Sequence, residues 1–297
     1  MDEENGAMKM KKFFKGIVTG IAFMIFLAGC GGTDTATSND SDNSGDSNIR
    51  TVKVAYDQAS KPISWLDDNG NPTGYDVEVM KLVDELLPEY EFEFIGTTSD
   101  DLLIGVQQGK YHVGVKNAFW TEERTKNFIY PEEFLGLSSI GLVLKKENEH
   151  IKSLSDFATN GMTLAPIAAN NAQYTVIDEY NQKNPDNPVQ LEAGDQFSVD
   201  VIQWVNEGRV DGGISIEGPF EKQVIAEDGP YHNLVKEVVY NEFDVIKTWP
   251  LFNLNEKDFA TAYDEAMKQL KEEKKLNELS EEFYGRDLFK VLESVDR

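Results

Sequence analysis

From residue 51 onward, the hydrophobic pattern of this chain switches between a period of two and one of about 3.6 residues, in two successive rounds. In the first round, residues 51–56 alternate apolar and polar side chains, as a strand does. Residues 75–87 then place Val79, Met80, Val83, Leu86 and Leu87 at helical spacing and stop at Pro88. Residues 90–95 read as a strand, 99–108 as a helix opened by Ser99 and Asp100 and closed by Gly109, and 111–115 as a strand. Strand, helix, strand, helix, strand predicts a parallel sheet with right-handed crossovers. The second round opens on a continuous apolar strand at 137–144 and a short helix capped by Ser153. It continues with a strand at 161–165, a helix at 171–181, a strand at 188–191, a helix at 198–207 closed by Gly208, and a strand at 210–214. A second α/β unit therefore interrupts the first. The C-terminal part is helical, with Phe259, Tyr263, Met267 and Leu270 on one face and Leu276, Leu279 and Phe283 on another.

The N-terminal segment follows different rules. Lys9, Lys11, Lys12 and Lys15 precede an apolar stretch at 17–27 that is too short to span a bilayer core of ~30 Å. A basic region, a short apolar region and small residues at the cut make a secretory signal. Leu27-Ala28-Gly29-Cys30 closely resembles the lipobox of bacterial lipoproteins. That resemblance implies that Cys30 is acylated and becomes the first residue of the mature protein. Residues 31–49 are almost entirely Gly, Thr, Asp, Ser, Asn and Ala, which predicts a disordered tether with a reach of roughly 25 Å. The expected location is extracytoplasmic, held to the bilayer through Cys30.

Composition narrows the function. With 53 acidic against 28 basic residues and a net charge of -25, the surface repels nucleic acid and anionic lipid head groups. The single cysteine allows no intramolecular disulfide. His112, His150 and His232 lie far apart without ligand spacing, so neither a metal site nor a catalytic triad is expected.

Three segments together resemble the family 3 extracellular solute-binding proteins, the polar amino-acid receptors of ABC importers. The first runs from Trp65 through Asp67-Asp68-Asn69-Gly70 to Gly74-Tyr75-Asp76, with Pro62-Ile63 where the family has a Pro-aromatic pair. The second holds Gly109-Lys110-Tyr111-His112-Val113 and Thr121-Glu122-Glu123-Arg124, with His112 where the family usually has Asp. The third is Gly208-Arg209-Val210-Asp211-Gly212-Gly213. The resemblance covers about residues 50–290. It implies a two-lobed periplasmic-binding-protein-like α/β fold, each lobe a mainly parallel sheet flanked by helices. Lobe 1 would comprise residues 50–143 plus 244–297 and lobe 2 residues 144–243, after a signal peptide at 1–29 and the tether at 30–49. Two hinge strands, near 140–144 and 243–247, would cross between the lobes.

The resemblance also implies a site. Arg124 would grip a ligand α-carboxylate, a role that suits a guanidinium fork that stays charged; a surface pair with Glu122 or Glu123 is the alternative. Asn117 and Phe119 would line the cleft, Phe119 offering its N–H and an apolar wall where the family has Ser or Thr. Trp65 and Trp120 are loop aromatics that could stack on a ligand or pack at a rim. Asp57 and Ser60, at the end of the first strand, and Ser99, at a helix start, are further candidates. In lobe 2, Asn170 in the loop Ala169-Asn170-Asn171 would complete the pocket near a helix N-terminus. Where the family places the Asp that binds a substrate ammonium, this chain has Ile216, followed by Glu217. Glu217 would take over, or the amine is met elsewhere, or the ligand lacks one.

The function these features imply is a substrate-binding lipoprotein of an ABC importer. It would act as a monomer without cofactor or metal, capture an amino acid or derivative, and deliver it to a membrane permease. A dehydratase-like enzyme on the same fold and an extracellular sensor domain remain as alternatives. No nucleophile–base pair stands out.

Overall fold

The computed structural model describes residues 49–169, 171–194 and 199–294. The signal region, Cys30 and nearly all of the tether lie outside the described residues, as does Asn170.

The first strand, β1 (Arg50–Asp57), leads into a small antiparallel sheet of β2 (Ala59–Ser60), β3 (Ser64–Leu66) and β4 (Pro72–Thr73). Helix α1 (Tyr75–Leu86), β5 (Tyr90–Thr97), α2 (Ser99–Gln107) and β6 (Val113–Ala118) complete the first round. Then follow β7 (Gly136–Lys145), α3 (Leu154–Thr159), β8 (Ile167–Ala168), α4 (Ala172–Lys183), β9 (Ala193–Gly194), α5 (Val201–Glu207), β10 (Gly212–Ile216) and the short α6 (Glu217–Phe220). The long β11 (Val238–Phe252) returns the chain to α7 (Lys257–Glu272), α8 (Lys275–Tyr284) and α9 (Leu288–Ser294).

The main sheet has the order β10-β7-β11-β6-β1-β5. β1 runs parallel to both β5 and β6, while β11 runs antiparallel to β6 and β7, and β10 antiparallel to β7. Among the described residues four hydrophobic cores form along it, two of them large. The first joins Val52, Val54 and Tyr56 of β1, Val79, Met80 and Val83 of α1, and Phe259, Tyr263, Met267 and Leu270 of α7. The second joins Ile140, Leu142 and Leu144 of β7 with Phe157, Ile177 and Ile214. Strands β7 and β11 serve both: Leu137 and Val245 face the first core, Ile140 and Ile246 the second. They pair from Gly136↔Thr248 to Lys145↔Val238, with a register shift between Glu242 and Asp244. The two expected crossing strands are thus segments of one antiparallel ladder.

Several expected elements differ. Residues 161–165 form no strand; only Leu164 bridges Gly212 in parallel. Residues 188–191 also form none, because the Asn181 side chain occupies both backbone groups of Val189. Its amide donates to Val189 O at 2.9 Å, and its carbonyl accepts from Val189 N at 2.8 Å. Helix α5 starts at Val201, capped by Asp200, whose carboxylate accepts from Gln203 N at 3.0 Å. Helix α2 is capped by Thr98, one residue before the expected start. The Thr121-Glu122-Glu123-Arg124 segment leads into a single 3-10 turn, Arg124–Lys126. Strand β6 begins later than expected and runs on to Ala118, so Lys116 and Asn117 are strand residues.

His112 explains itself locally. Its Nδ1 accepts the Lys53 N–H at 2.7 Å, an acceptor role that a carboxylate could also fill. Burial pushes the imidazole below its usual range and keeps that nitrogen bare.

Candidate functional site

The site is assembled from the carboxyl end of β6 outward. Gly74 precedes α1 with φ 112°, and a Cβ there would lie 2.6 Å from Ile63 O. This close approach sets Tyr75 and Asp76 into the first core. The fully buried Asp76 carboxylate accepts the Asn117 N–H at 2.9 Å. Burial pushes Asp76 up to about 7, against the pull of that hydrogen bond. Asn117 adopts φ 55°, and its side-chain carbonyl accepts from Ser138 Oγ of β7 at 2.7 Å. The chain therefore leaves β6 in one fixed direction.

That direction carries it into the Arg124 loop. Arg124 Nη1 donates to Phe119 O at 2.9 Å, the Tyr130 hydroxyl donates to the same oxygen at 2.9 Å, and Thr121 Oγ1 accepts from Arg124 N at 3.3 Å. The guanidinium is held by its own loop, with most of its five donors left over. Among the described residues, neither Glu122 nor Glu123 forms an ion pair with it. Phe119, Thr121 and Arg124 form one wall of a cavity of about 470 Å³. The opposite wall comes from the second round of the fold: Ile167 and Ala168 of β8, the start of α4, Val201 of α5 and Ile214 of β10. Asn171 lines it while capping α4, its side chain accepting from Gln173 N at 2.9 Å. The Arg124 guanidinium and the start of α4 line the same space of ligand size, an arrangement that suits a carboxylate.

Of the residues expected from sequence, Arg124 and Phe119 are brought together here, with Asn171 opposite. Phe119 also packs against the second core. The others have different surroundings. Trp120, the next residue, lines a separate groove with Phe243 and Trp249. Trp65 stacks edge-on against Phe283, with Lys61 over its face. Asp57 accepts from Ala59 N at 3.2 Å, and Ser60 pairs with Ser64 in the small sheet. Ser99 is the first residue of α2. Glu217 is held by Arg286 at 2.7 Å, and Arg286 also bonds both carboxylate oxygens of Glu242, at 3.0 and 2.5 Å. Burial pushes Glu217 up and Arg286 opposes it. Glu242 in turn accepts from Ser139 of β7.

Two residues at this site were not singled out from sequence. Asp76 lay inside a quoted motif, but its buried contact to Asn117 spans 41 residues and leaves no local signal. Lys116 lies just past the strand expected at 111–115. In the structure it is a half-buried strand residue whose ammonium is pushed below its usual range by burial and by Arg124, with Asp57 and Asp100 pulling the other way.

The chain is similar to several known proteins. L-cystine-binding protein TcyJ of Bacillus subtilis is 29% identical over 277 residues, 93% of this chain and 97% of that protein. TcyK of the same organism, also L-cystine-binding, is 24% identical over 283 residues, 95% of this chain and 99% of that one. The fold is shared with the probable amino-acid ABC transporter extracellular-binding protein ytmK of Bacillus subtilis (TM-score 0.57, 23% identity, 80% of this chain and 99% of that). It is shared too with the unliganded, open L-cystine solute receptor of Neisseria gonorrhoeae (TM-score 0.53, 22% identity, 82% of this chain and 95% of that). Residues 52–286, nearly all of the described chain, match one family as a single stretch. The chain belongs to the bacterial extracellular solute-binding proteins, family 3.

Proposed function

We propose that this protein captures an amino acid or amino-acid derivative in the cavity between Arg124 and the start of α4 and delivers it to the membrane permease of an ABC importer. The observation that carries the reading is the Arg124 guanidinium, pinned by Phe119 O yet without a carboxylate partner among the described residues, on the wall of a ligand-sized cavity. The named activities of the relatives support an amino-acid ligand, L-cystine foremost. The lobes are residues 50–143 plus 244–297 and residues 144–243, closing about β7 and β11. The protein performs no bond chemistry and works as a monomer. A panel of amino acids that includes L-cystine, titrated by calorimetry, tests this. Arg124→Ala should weaken the best binder by two to three orders of magnitude, since removing one member of a desolvated ion pair costs ~3–5 kcal/mol. A loss below threefold overturns the role.

The same reading places the protein outside the cytoplasm, tethered through acylated Cys30. Cys30→Ala should leave an uncleaved or released precursor that takes up no radioactive palmitate. Mature protein that still labels refutes the anchor.

A further inference from the structure

Strand β6 places one cation where the fold needs none. In the parallel pairing of β1 with β6, Val54 lies beside Val113, Ala55 beside Gly114 and Tyr56 beside Val115. Val113 and Val115 face the first core, while Gly114 faces α2, where a Cβ would lie 2.5 Å from Leu102. Lys116 follows directly on Val115, the last residue of β6 paired with β1, at the point where β6 shifts register against β11. There the cover of α2 runs out: its first residues are Ser99 and Asp100. Crevices at the carboxyl ends of parallel strands are where α/β folds take ligands.

Lys116 is half-buried in this position, and among the described residues it makes no hydrogen bond and no ion pair. Asp57, at the end of β1, and Asp100 are its electrostatic neighbours, yet neither comes within ion-pair distance. Arg124 is its third charged neighbour and lines the cavity. Lys116 and Arg124 are thus electrostatic neighbours past the carboxyl end of the β1–β6 pairing, and among the described residues neither has an ion-pair partner. A structural lysine at this depth would pair with a carboxylate, because an unpaired buried charge is costly. One α-carboxylate fills the Arg124 fork and leaves Lys116 unmatched.

We infer that Lys116 receives a second carboxylate of the ligand, so that the site selects amino acids carrying two carboxylates over those carrying one. The inference rests on the amino-acid-binding reading above and specifies its substrate class. It extends the site from the Arg124 cavity toward the start of α2.

The test is calorimetry with matched probes: L-cystine against S-methyl-L-cysteine, and L-glutamate against L-glutamine. In the unaltered protein, the dicarboxylate of at least one pair should bind tenfold or more tighter than its partner. In Lys116→Met that margin should fall below threefold, with the monocarboxylate unchanged, and Lys116→Arg should restore it. A margin that persists in Lys116→Met overturns the inference, as does equal binding of both members of each pair by the unaltered protein. If Lys116 merely serves the two aspartates, Lys116→Met lowers the ligand-free melting temperature and leaves the margin intact, which also overturns it. Arg124-dependent binding without a margin removes this inference alone. Absence of binding by every probe removes the functional reading with it.

Discussion

The carboxylate of Asp76, in the first turn of α1, accepts the backbone N–H of Asn117 at 2.9 Å and so fixes the point where β6 turns toward Arg124. The bond lies in the first core, and burial pushes Asp76 up to about 7.

Asp76 should therefore make stability depend on pH. Below about pH 4 the carboxyl is protonated both in the unfolded chain and in the fold. Between there and about 7, the unfolded chain releases a proton that the fold retains. Each unit of rising pH then costs the folded state about 1.4 kcal/mol. Asp76→Asn keeps an acceptor for Asn117 N–H without the titration. Urea unfolding from pH 4 to 7 should show the variant gaining on the unaltered protein, by up to about 4 kcal/mol. A gap that stays constant would mean that Asp76 is not held neutral by burial.

Gly74→Ala should destabilise by about 3 kcal/mol, the sum of a positive-φ penalty and a backbone clash, since the new Cβ would lie 2.6 Å from Ile63 O. Gly70 supplies the control: it has φ 82° but nothing within 4 Å of a Cβ, so Gly70→Ala should cost only about 1 kcal/mol. Equal urea midpoints for the two variants would show that the Ile63 contact relaxes.

Arg286→Met should leave Glu217 and Glu242 facing each other without the charge they share. The expected loss near neutral pH is about 1–3 kcal/mol, the range for hydrogen bonds to charged groups. Burial already pushes the Glu217 carboxyl up and Arg286 opposes that, so removing the arginine lets it rise further in the fold, and the loss should shrink as acid protonates Glu217. Denaturation at pH 8 and at pH 5 checks this; identical losses at both would mean that Arg286 acts by packing alone.

Sequence periodicity located the elements whose apolar residues face one core. Val79, Met80 and Val83 marked α1, and Phe259, Tyr263, Met267 and Leu270 marked α7, because both helices bury a single stripe. It failed where backbone groups found non-ladder partners. Val189 sits in a strand-like run, but the amide of Asn181, eight residues earlier, takes both its hydrogen bonds. At the site, the Thr121-Glu122-Glu123-Arg124 motif announced the arginine loop. Lys116 stayed hidden because polar residues at a strand's end read as the start of a loop. Glu217 looked free to meet a ligand because nothing near it in sequence points to Arg286, 69 residues away.

The first core has a bearing on how the protein is made. Phe252 and Phe259 pack ring to ring at 5.1 Å, and Phe259 meets Phe92 of β5 at 5.4 Å. Val52, Val54 and Met80 are thus sealed by side chains encoded near the other end of the chain. As the polypeptide leaves the ribosome amino end first, β1, α1 and β5 emerge long before their cover. Contacts between residues so far apart in sequence form slowly, and the first core is completed only after β11 and α7 have been synthesised. Completion of the first core is therefore one of the last events in the making of this chain.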